Sequence, residues 1–258
     1  METVLIFHLH GPFAAWGGVA VGEVRDSDIL PTRSAILGLL GAVLGLRRDN
    51  GEELGHLGRD LKLAFRVDLQ GSLLQDYHTA QVPSRQALKH HAHRTRKDEL
   101  DFPKEELSTI LSTRQYRVDA AYTILVSAPG APGRLRALTE AMDHPAFVPY
   151  LGRKSCALAW PMSPRLIEAS DLMEAFREYD RLEREMLGKA GQEFQEMAAR
   201  ALGSESNVRQ LAWEKDLPLA ESIKPLMLVD RRDEPLDRRR WQFAERQEAR
   251  DQWHLEQP

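Results

Sequence analysis

The stretch RDSDILPTRSAILGLLGAVLGLRR at 25–48 decides how this chain begins to fold. Every residue from Ala35 to Leu46 is apolar or glycine, a pattern typical of a fully buried helix. Glycines recur at spacings of three and four, at Gly38, Gly41 and Gly45. Because glycine lowers helix stability, three of them indicate that another segment packs closely there. We predict a buried helix over 32–47.

The start of this helix has the composition of an anion site. Pro31, Thr32 and Ser34 are residue types that favour helix N-termini. Arg25 and Arg33 place two guanidinium groups beside the backbone N–H groups that the first turn leaves unpaired. Such an arrangement favours binding of a phosphate or a carboxylate.

Four apolar segments and a second helix surround the first helix in the order β-α-β-β-α-β. The strands are VLIFHLH at 4–10, LKLAFRVDL at 61–69, AAYTILVSA at 120–128 and CALAW at 156–160, and the helix is PGRLRALTEAMDHP at 132–145. This order is that of the ferredoxin-like α+β fold, which is also the scaffold of the RNA-recognition motif. We therefore expect a ferredoxin-like domain over 1–160.

A long insertion, residues 70–118, separates the second and third predicted strands. From Tyr77 to Lys97 it has no acidic residue but contains several cations, Arg85, Lys89, Arg94, Arg96 and Lys97. LSTRQYRV at 111–118 returns as a strand, so we predict a protruding basic β-hairpin. It either contacts RNA phosphates or is a solvated basic loop. Neighbouring His90, His91 and His93 lack a second ligand cluster, so no metal site is expected.

Residues 161–258 form a C-terminal extension of different character. Residues 171–202 have helical periodicity interrupted at Gly188 and Gly191, which predicts a helical hairpin, and strand segments follow towards the end. The formal net charge of −4 argues against a uniformly basic nucleic-acid binder. A single cysteine, Cys156, and the absence of a signal-type N-terminus or a membrane-length apolar run predict a cytoplasmic protein. We expect no cofactor.

FVPYLGRKSCAL at 147–158 joins a tyrosine, a glycine turn and two cations. Gly152 permits a tight backbone, after which Arg153, Lys154 and Ser155 are able to bind phosphate. A metal-independent ribonuclease would instead need an acid–base pair. The candidate pairs are Tyr77 with His78 and Tyr116 with Lys154, and nothing in their spacing demonstrates either pair.

Five motifs in this order resemble the Cas-five family of CRISPR-associated RAMP proteins, in its subtype I-E form. They are GPFAAWGG at 11–18, PTRSAILGLLGAVLGLRRD at 31–49, DYHT at 76–79, FVPYLGRKSCAL at 147–158 and RRDEP at 231–235. The resemblance does not cover 171–225.

The resemblance implies a non-catalytic RNA-binding subunit of the CRISPR surveillance complex Cascade. Such a subunit caps the 5′ handle of the CRISPR RNA, contacts the Cas-seven family backbone subunit (CasC) and the large subunit CasA, and lies near target DNA. Its inserted hairpin acts as a thumb on the guide. Carried onto this chain, the RNA contacts are Arg25, Arg33, Ser34, Tyr150, Arg153 and Lys154, with Arg85, Lys89, Arg94 and Arg96 in the thumb and Arg114 and Arg117 in the same groove. The rival functions are a CRISPR RNA-processing endoribonuclease and a protein–protein adaptor.

Overall fold

The computed structural model describes residues 1–254 apart from 19, 21, 90–93, 202–207, 238, 239 and 241, and only the backbone of 187, 189–201, 208, 253 and 254. The strands are β1 (Glu2–His10), β2 (Phe13–Ala14), β3 (Val24–Arg25), β4 (Lys62–Leu69), β5 (Ser72–Pro83), β6 (Leu107–Val118), β7 (Ala121–Ser127), β8 (Arg165–Ala169), β9 (Val208–Glu214), β10 (Met227–Asp237) and β11 (Gln242–His254). The helices are α1 (Arg33–Val43), α2 (Gly51–Asp60), α3 (Arg85–Leu88), α4 (Arg96–Glu99), α5 (Pro132–Asp143) and α6 (Leu172–Ala201), with short 3-10 turns at Lys104–Glu106 and Pro218–Ala220.

The main sheet has seven antiparallel strands in the order β10-β11-β9-β4-β7-β1-β8. Ile124 of β7 lies between Phe7 of β1 and Phe65 of β4 in register, and all three side chains are fully buried. The predicted strands at 4–10, 61–69 and 120–128 are thus confirmed. The protein has a mixed α/β fold with antiparallel sheets.

The fourth predicted strand is wrong. Residues 156–160 form no strand; Ala157 makes only an isolated bridge to Tyr150. The strand that pairs with the outer edge of β1 is β8, Arg165–Ala169. All five residues of 156–160 are apolar, which resembles the pattern of a buried strand, but only Cys156 among them is buried in the core.

Helix α1 begins at the predicted Thr32 cap but ends at Val43, earlier than the predicted 32–47. Thr32 Oγ1 accepts a hydrogen bond from the N–H of Ala35, 3.3 Å away. At the other end Gly45 takes φ +77, and the N–H of Leu46 donates to Gly41 O across 2.8 Å, a Schellman ending. The apolar side of α1 packs with α5 on one face of the main sheet.

The other face of the main sheet is covered by α6. Leu172, Phe176 and Tyr179 pack against the strands and are almost fully buried. Beneath the helix, Asp180 binds Arg66 of β4 through two hydrogen bonds of 2.7 and 2.8 Å. The predicted break in this helical segment occurs at Gly188, where φ is 50 and ψ is −124. Both faces of the sheet are therefore occupied by the chain itself.

Burial changes the titration of the groups beneath α6. Burial would lower the pKa of Arg66, but the carboxylates of Asp180 and Asp68 outweigh it and raise that pKa. Burial lowers the pKa of His8 to about 4, so its imidazole is neutral at neutral pH. The network is a charge-compensated part of the core that fixes α6 to the sheet.

The insertion folds as a long two-stranded hairpin. β5 and β6 pair without a register shift from Ser72–Val118 to Pro83–Leu107, and the predicted strand at 111–118 lies within β6. β2 and β3 pair with the base of β6, which completes a second, four-stranded sheet. The base of this small sheet carries three of the predicted RNA-binding residues, Arg25, Arg114 and Arg117.

Candidate nucleic-acid interface

The Gly152 turn is seated directly on the segment that follows β1. Gly152 takes φ +84, and a Cβ at this position would lie 1.9 Å from Ala15 O. Only glycine fits, both because of the positive φ and because of the close approach. The N–H of Ala15 donates to Leu151 O at 3.0 Å, and the N–H of Leu151 donates to Cys156 O at 2.8 Å. The turn is thus fixed in position against the base of the small sheet.

Arg153 extends from this turn and joins two strands of the small sheet. Its terminal nitrogens donate to the carbonyl oxygens of Gln115 on β6, at 2.9 Å, and of Arg25 on β3, at 3.0 Å. Its guanidinium lies 4.7 Å from the ring centroid of Tyr116. Phe13 meets the same ring edge-on, with centroids 5.9 Å apart. Arg153 is therefore held by hydrogen bonds in its plane and by a ring on its face.

Cations accumulate on one face of the small sheet around this point. Arg25 and Arg114 are partners in the parallel register of β3 and β6, so their side chains emerge side by side. Within the described part of the chain no ion pair joins either of them to a carboxylate. Tyr150 and Lys154, on the turn beside them, are exposed. Asp76, the register partner of Arg114 on β5, lies opposite it, so the two arginines outnumber the neighbouring carboxylate. Neighbouring cations in excess favour a polyanionic ligand.

Arg117 lies on the other side of β6. Residues three apart on a regular strand point to opposite faces, so Arg114 and Arg117 do not line the same groove, contrary to the prediction. Arg117 pairs with Ala14 of β2, whose side chain is fully buried. Burial raises the pKa of the Tyr122 hydroxyl, and the charge of Arg117 opposes this rise.

The predicted anion site at the start of α1 exists, and the chain fills it. The N–H of Arg33 donates to Asp233 Oδ2 across 2.7 Å. Asp233 belongs to the RRDEP segment at 231–235, on β10. A carboxylate of the protein therefore occupies the place that the sequence assigns to an RNA phosphate.

The side chain of Arg33 is likewise engaged inside the protein. Arg33 is 2% exposed, and its Nε lies 3.1 Å from Glu214 Oε1 and 2.8 Å from Glu234 Oε2. Its Nη2 donates to Gly58 O at 2.7 Å. Burial raises the pKa of Glu214, an effect that Arg33 opposes. We therefore replace the predicted RNA contact of Arg33 with a structural role. Ser34 is half-buried, and its Oγ lies 3.2 Å from Thr32 Oγ1 at the same helix start.

The four thumb residues form a separate group at the tip of the hairpin. Arg85, Lys89 and Arg94 are exposed. Arg96 is also exposed, but its Nη1 pairs with Glu99 at 2.7 Å. At about 3.4 Å per residue, the seven residues from Leu107 to Arg114 place the tip about 24 Å from the cations at the base. The predicted contacts thus fall into two groups.

Within the described residues no hydrogen bond joins the two members of either candidate nuclease pair. Tyr77 and His78 are consecutive on β5 and so point to opposite faces of the hairpin. The ring of Tyr116 is packed between Phe13 and Arg153. Burial raises the pKa of the Cys156 thiol, which disfavours the thiolate needed for nucleophilic attack.

The described residues contain no group of three potential metal ligands. His90, His91 and His93 lie outside the described residues. A membrane-crossing helix is also absent from the part of the chain that the structure describes.

Sequence reasoning missed two residues that build the interface, Phe13 and Gln115, and the residue that fills the start of α1, Asp233. Phe13 lies within GPFAAWGG but its role requires knowledge that β2 pairs with β6. Gln115 accepts from the Ser27 N–H at 3.3 Å through its side chain and from Arg153 through its carbonyl oxygen. Asp233 is 200 positions from Arg33, at the start of the helix that it caps, so no local sequence pattern links the two residues.

Comparisons with known proteins agree with this architecture. A family model described as "CRISPR-associated protein (Cas_Cas5)" matches residues 4–247. The "CRISPR system Cascade subunit CasD" of Escherichia coli (strain K12) is 34% identical over 189 residues, which cover 70% of this chain and 78% of the relative.

Two solved structures share the fold. A chain described as "CRISPR RNA-guided surveillance complex" matches with a TM-score of 0.61 and 21% identity, covering 96% of this chain and 89% of that chain. A "Crystal structure of Cas protein" matches with a TM-score of 0.57 and 22% identity, covering 96% and 94%. The family model spans nearly the whole chain and the sequence relative covers most of it. This protein therefore belongs to the Cas5 family of CRISPR-associated proteins.

Proposed function

We propose that this chain is a non-catalytic subunit of a Cascade-type CRISPR surveillance complex and that it holds the 5′ handle of the CRISPR RNA. The observation that carries the proposal is the meeting of Arg25, Arg114 and Arg153 at the Gly152 turn. This cluster occurs in a chain that is 34% identical to a Cascade subunit. Clustered cations beside aromatic rings are the usual means of holding single-stranded nucleic acid.

The proposed RNA path follows the base of the small sheet rather than the main sheet. In RNA-recognition motifs the open sheet face carries the stacked bases. Here α6 covers that face, with Phe176 fully buried against it. Arg25, Arg114 and Lys154 would contact phosphates, with Tyr150 beside them. Arg85, Lys89, Arg94 and Arg96 would contact the RNA further along as the thumb.

The architecture supports this division of roles. We propose that β8-β1-β7-β4, with α1 and α5, is a ferredoxin-like core, because both its strand order and its β-α-β-β-α-β succession are those of that fold. Within the proposed division, 1–160 supplies most of this core, 70–118 is the thumb and 161–258 is an extension. The extension closes the core with β8, adds β9, β10 and β11 to the same sheet through β4 and supplies α6, which covers its face.

Partners are proposed by the same reasoning. The hairpin would contact a Cas-seven family backbone subunit (CasC), and CasA and target DNA would lie nearby in the assembled complex. A cytoplasmic location fits both the single buried Cys156 and a role in Cascade.

Co-expression with CRISPR RNA and the other Cascade subunits tests the proposal. We expect the chain to co-purify with intact RNA, and we expect R25A to weaken retention of that RNA. R136A is the matched control, because Arg136 is an exposed arginine on α5, away from the small sheet. Incubation of the purified chain with repeat RNA in EDTA tests the rival function. Site-specific cleavage there would contradict the non-catalytic role and favour the endoribonuclease.

A further inference from the structure

We propose that Arg153 is a stacking surface for an RNA base rather than a phosphate ligand, an inference that rests on the proposed function. Two of the five in-plane N–H donors of Arg153 are used, because its two terminal nitrogens donate to Gln115 O and Arg25 O at 2.9 and 3.0 Å. Turning the guanidinium towards a phosphate would break both bonds. In this fixed orientation we expect a ligand to use the flat face of the group, on the side away from Tyr116.

One face of that plane is occupied and the geometry there defines the stack. Tyr116 lies under the guanidinium at 4.7 Å, and Phe13 fixes the tyrosine ring edge-on. Arg153 is half-buried, and with Tyr116 on one side of its guanidinium a base would stack on the other side. Bases that leave a single strand stack on arginine planes as well as on aromatic rings.

The surroundings fit a nucleotide whose base is turned in and whose phosphates are turned out. Phe13 is 39% exposed, and Leu74, which faces Tyr116 across the hairpin register, is 42% exposed. They give the edge of the platform an apolar border. Arg25 and Arg114 emerge on the same face of the small sheet and supply charge for the flanking phosphates. The ligand class is therefore an unpaired RNA nucleotide with an unstacked base.

The two roles of Arg153 predict different effects of R153K. Lysine keeps the charge but has no plane. As a platform, Arg153 cannot be replaced, so we expect R153K to weaken binding of a single-stranded handle RNA about tenfold with an unchanged log–log salt slope. If Arg153 were a phosphate ligand, lysine would replace it adequately. Binding of the RNA by R153K with wild-type affinity would therefore overturn the proposal.

A scan with handle RNAs that each lack one base separates stacking from a purely structural role. In the wild type, one abasic position should weaken binding by a factor similar to that of R153K, and R153K should show no further loss at that position. An abasic penalty that is the same in wild type and R153K would overturn the proposal, because the arginine would then act only by joining β3 to β6.

Tyr116 provides variants that leave the hydrogen bonds of Arg153 in place. We expect Y116F to bind as the wild type does and Y116L to reproduce the abasic behaviour of R153K, with unfolding midpoints recorded for each variant. Wild-type affinity for Y116L at every RNA position would contradict the stack. Failure of the wild type itself to bind handle RNA would overturn the proposed function instead, so the two failures are distinguishable.

Discussion

Arg25 and Arg33 flank the same helix start, yet their replacement should have opposite consequences. Removing Arg33 leaves the buried carboxylate of Glu214 with the longer ion pair to Lys62, at 3.7 Å, and takes a donor from Gly58 O. Loss of one partner from a buried pair costs about 3–5 kcal/mol. Arg25 is exposed and forms no ion pair with a carboxylate within the described residues. Removing it should change the free energy of unfolding by less than about 0.5 kcal/mol.

Urea unfolding and RNA titration at several salt concentrations measure both quantities. R33A should lose about 3–5 kcal/mol of stability, and a second change, E214Q, should restore part of it by removing a buried charge that has lost its nearest partner. R25A should keep its stability and flatten the log–log salt slope by about 0.7, the value of one phosphate contact on a single strand. If R33A stayed within about 1 kcal/mol of wild type and lost RNA affinity as R25A does, Arg33 would be an RNA ligand and the structural argument would be refuted.

Three further outcomes test the turn, the core and the thumb. G152A should lose at least about 2 kcal/mol of stability, through backbone strain and through collision of the new Cβ with Ala15 O. G130A is the control, because Gly130 also has a positive φ but a Cβ there would have no atom within 4 Å, and it should lose less. Equal losses of stability in the two variants would contradict the close approach at Gly152. His8 stays neutral in the folded protein but binds a proton at pH 5 when the chain unfolds, so the free energy of unfolding should fall by about 2 kcal/mol from pH 7.5 to 5. An H8N variant, unfolded over the same pH range, should lack this contribution. Identical pH profiles for the two proteins would contradict the role of His8. Alanine at all three exposed thumb cations should flatten the salt slope by about 2, and an unchanged slope would remove the thumb from the RNA interface; the cations are Arg85, Lys89 and Arg94.

Local patterns predict the elements of this fold better than they predict what covers them. Alternation over 61–69 and the capped apolar run after Thr32 specify a strand and a helix because short-range periodicity and caps determine both. The fourth strand was misplaced because two of the five residues of Arg165–Ala169 are charged, whereas 156–160 is wholly apolar although only Cys156 in it is buried. An edge strand needs fewer apolar residues than a central one.

Local sequence patterns also predict charged groups at the candidate site better than they predict the partners of those groups. Sequence chemistry identified an anion site at the start of α1 correctly, but which anion fills it depends on a pairing with Asp233. Alternation along β6 would have separated Arg114 from Arg117, since their spacing is odd. The closing of the sheet face by α6 was beyond local patterns, because a helical period does not state what the helix packs against.

Photo-crosslinking of a handle RNA that carries 4-thiouridine at successive positions, followed by identification of the crosslinked peptides, tests the central claim most directly. The claim is that RNA lies along the base of the small sheet and the Gly152 turn. Crosslinks should therefore map to Phe13, to Arg114–Tyr116 and to Tyr150–Lys154, with the RNA recovered uncut. Crosslinks concentrated on the α6 residues that cover the main sheet, or RNA cleaved at one position, would contradict it.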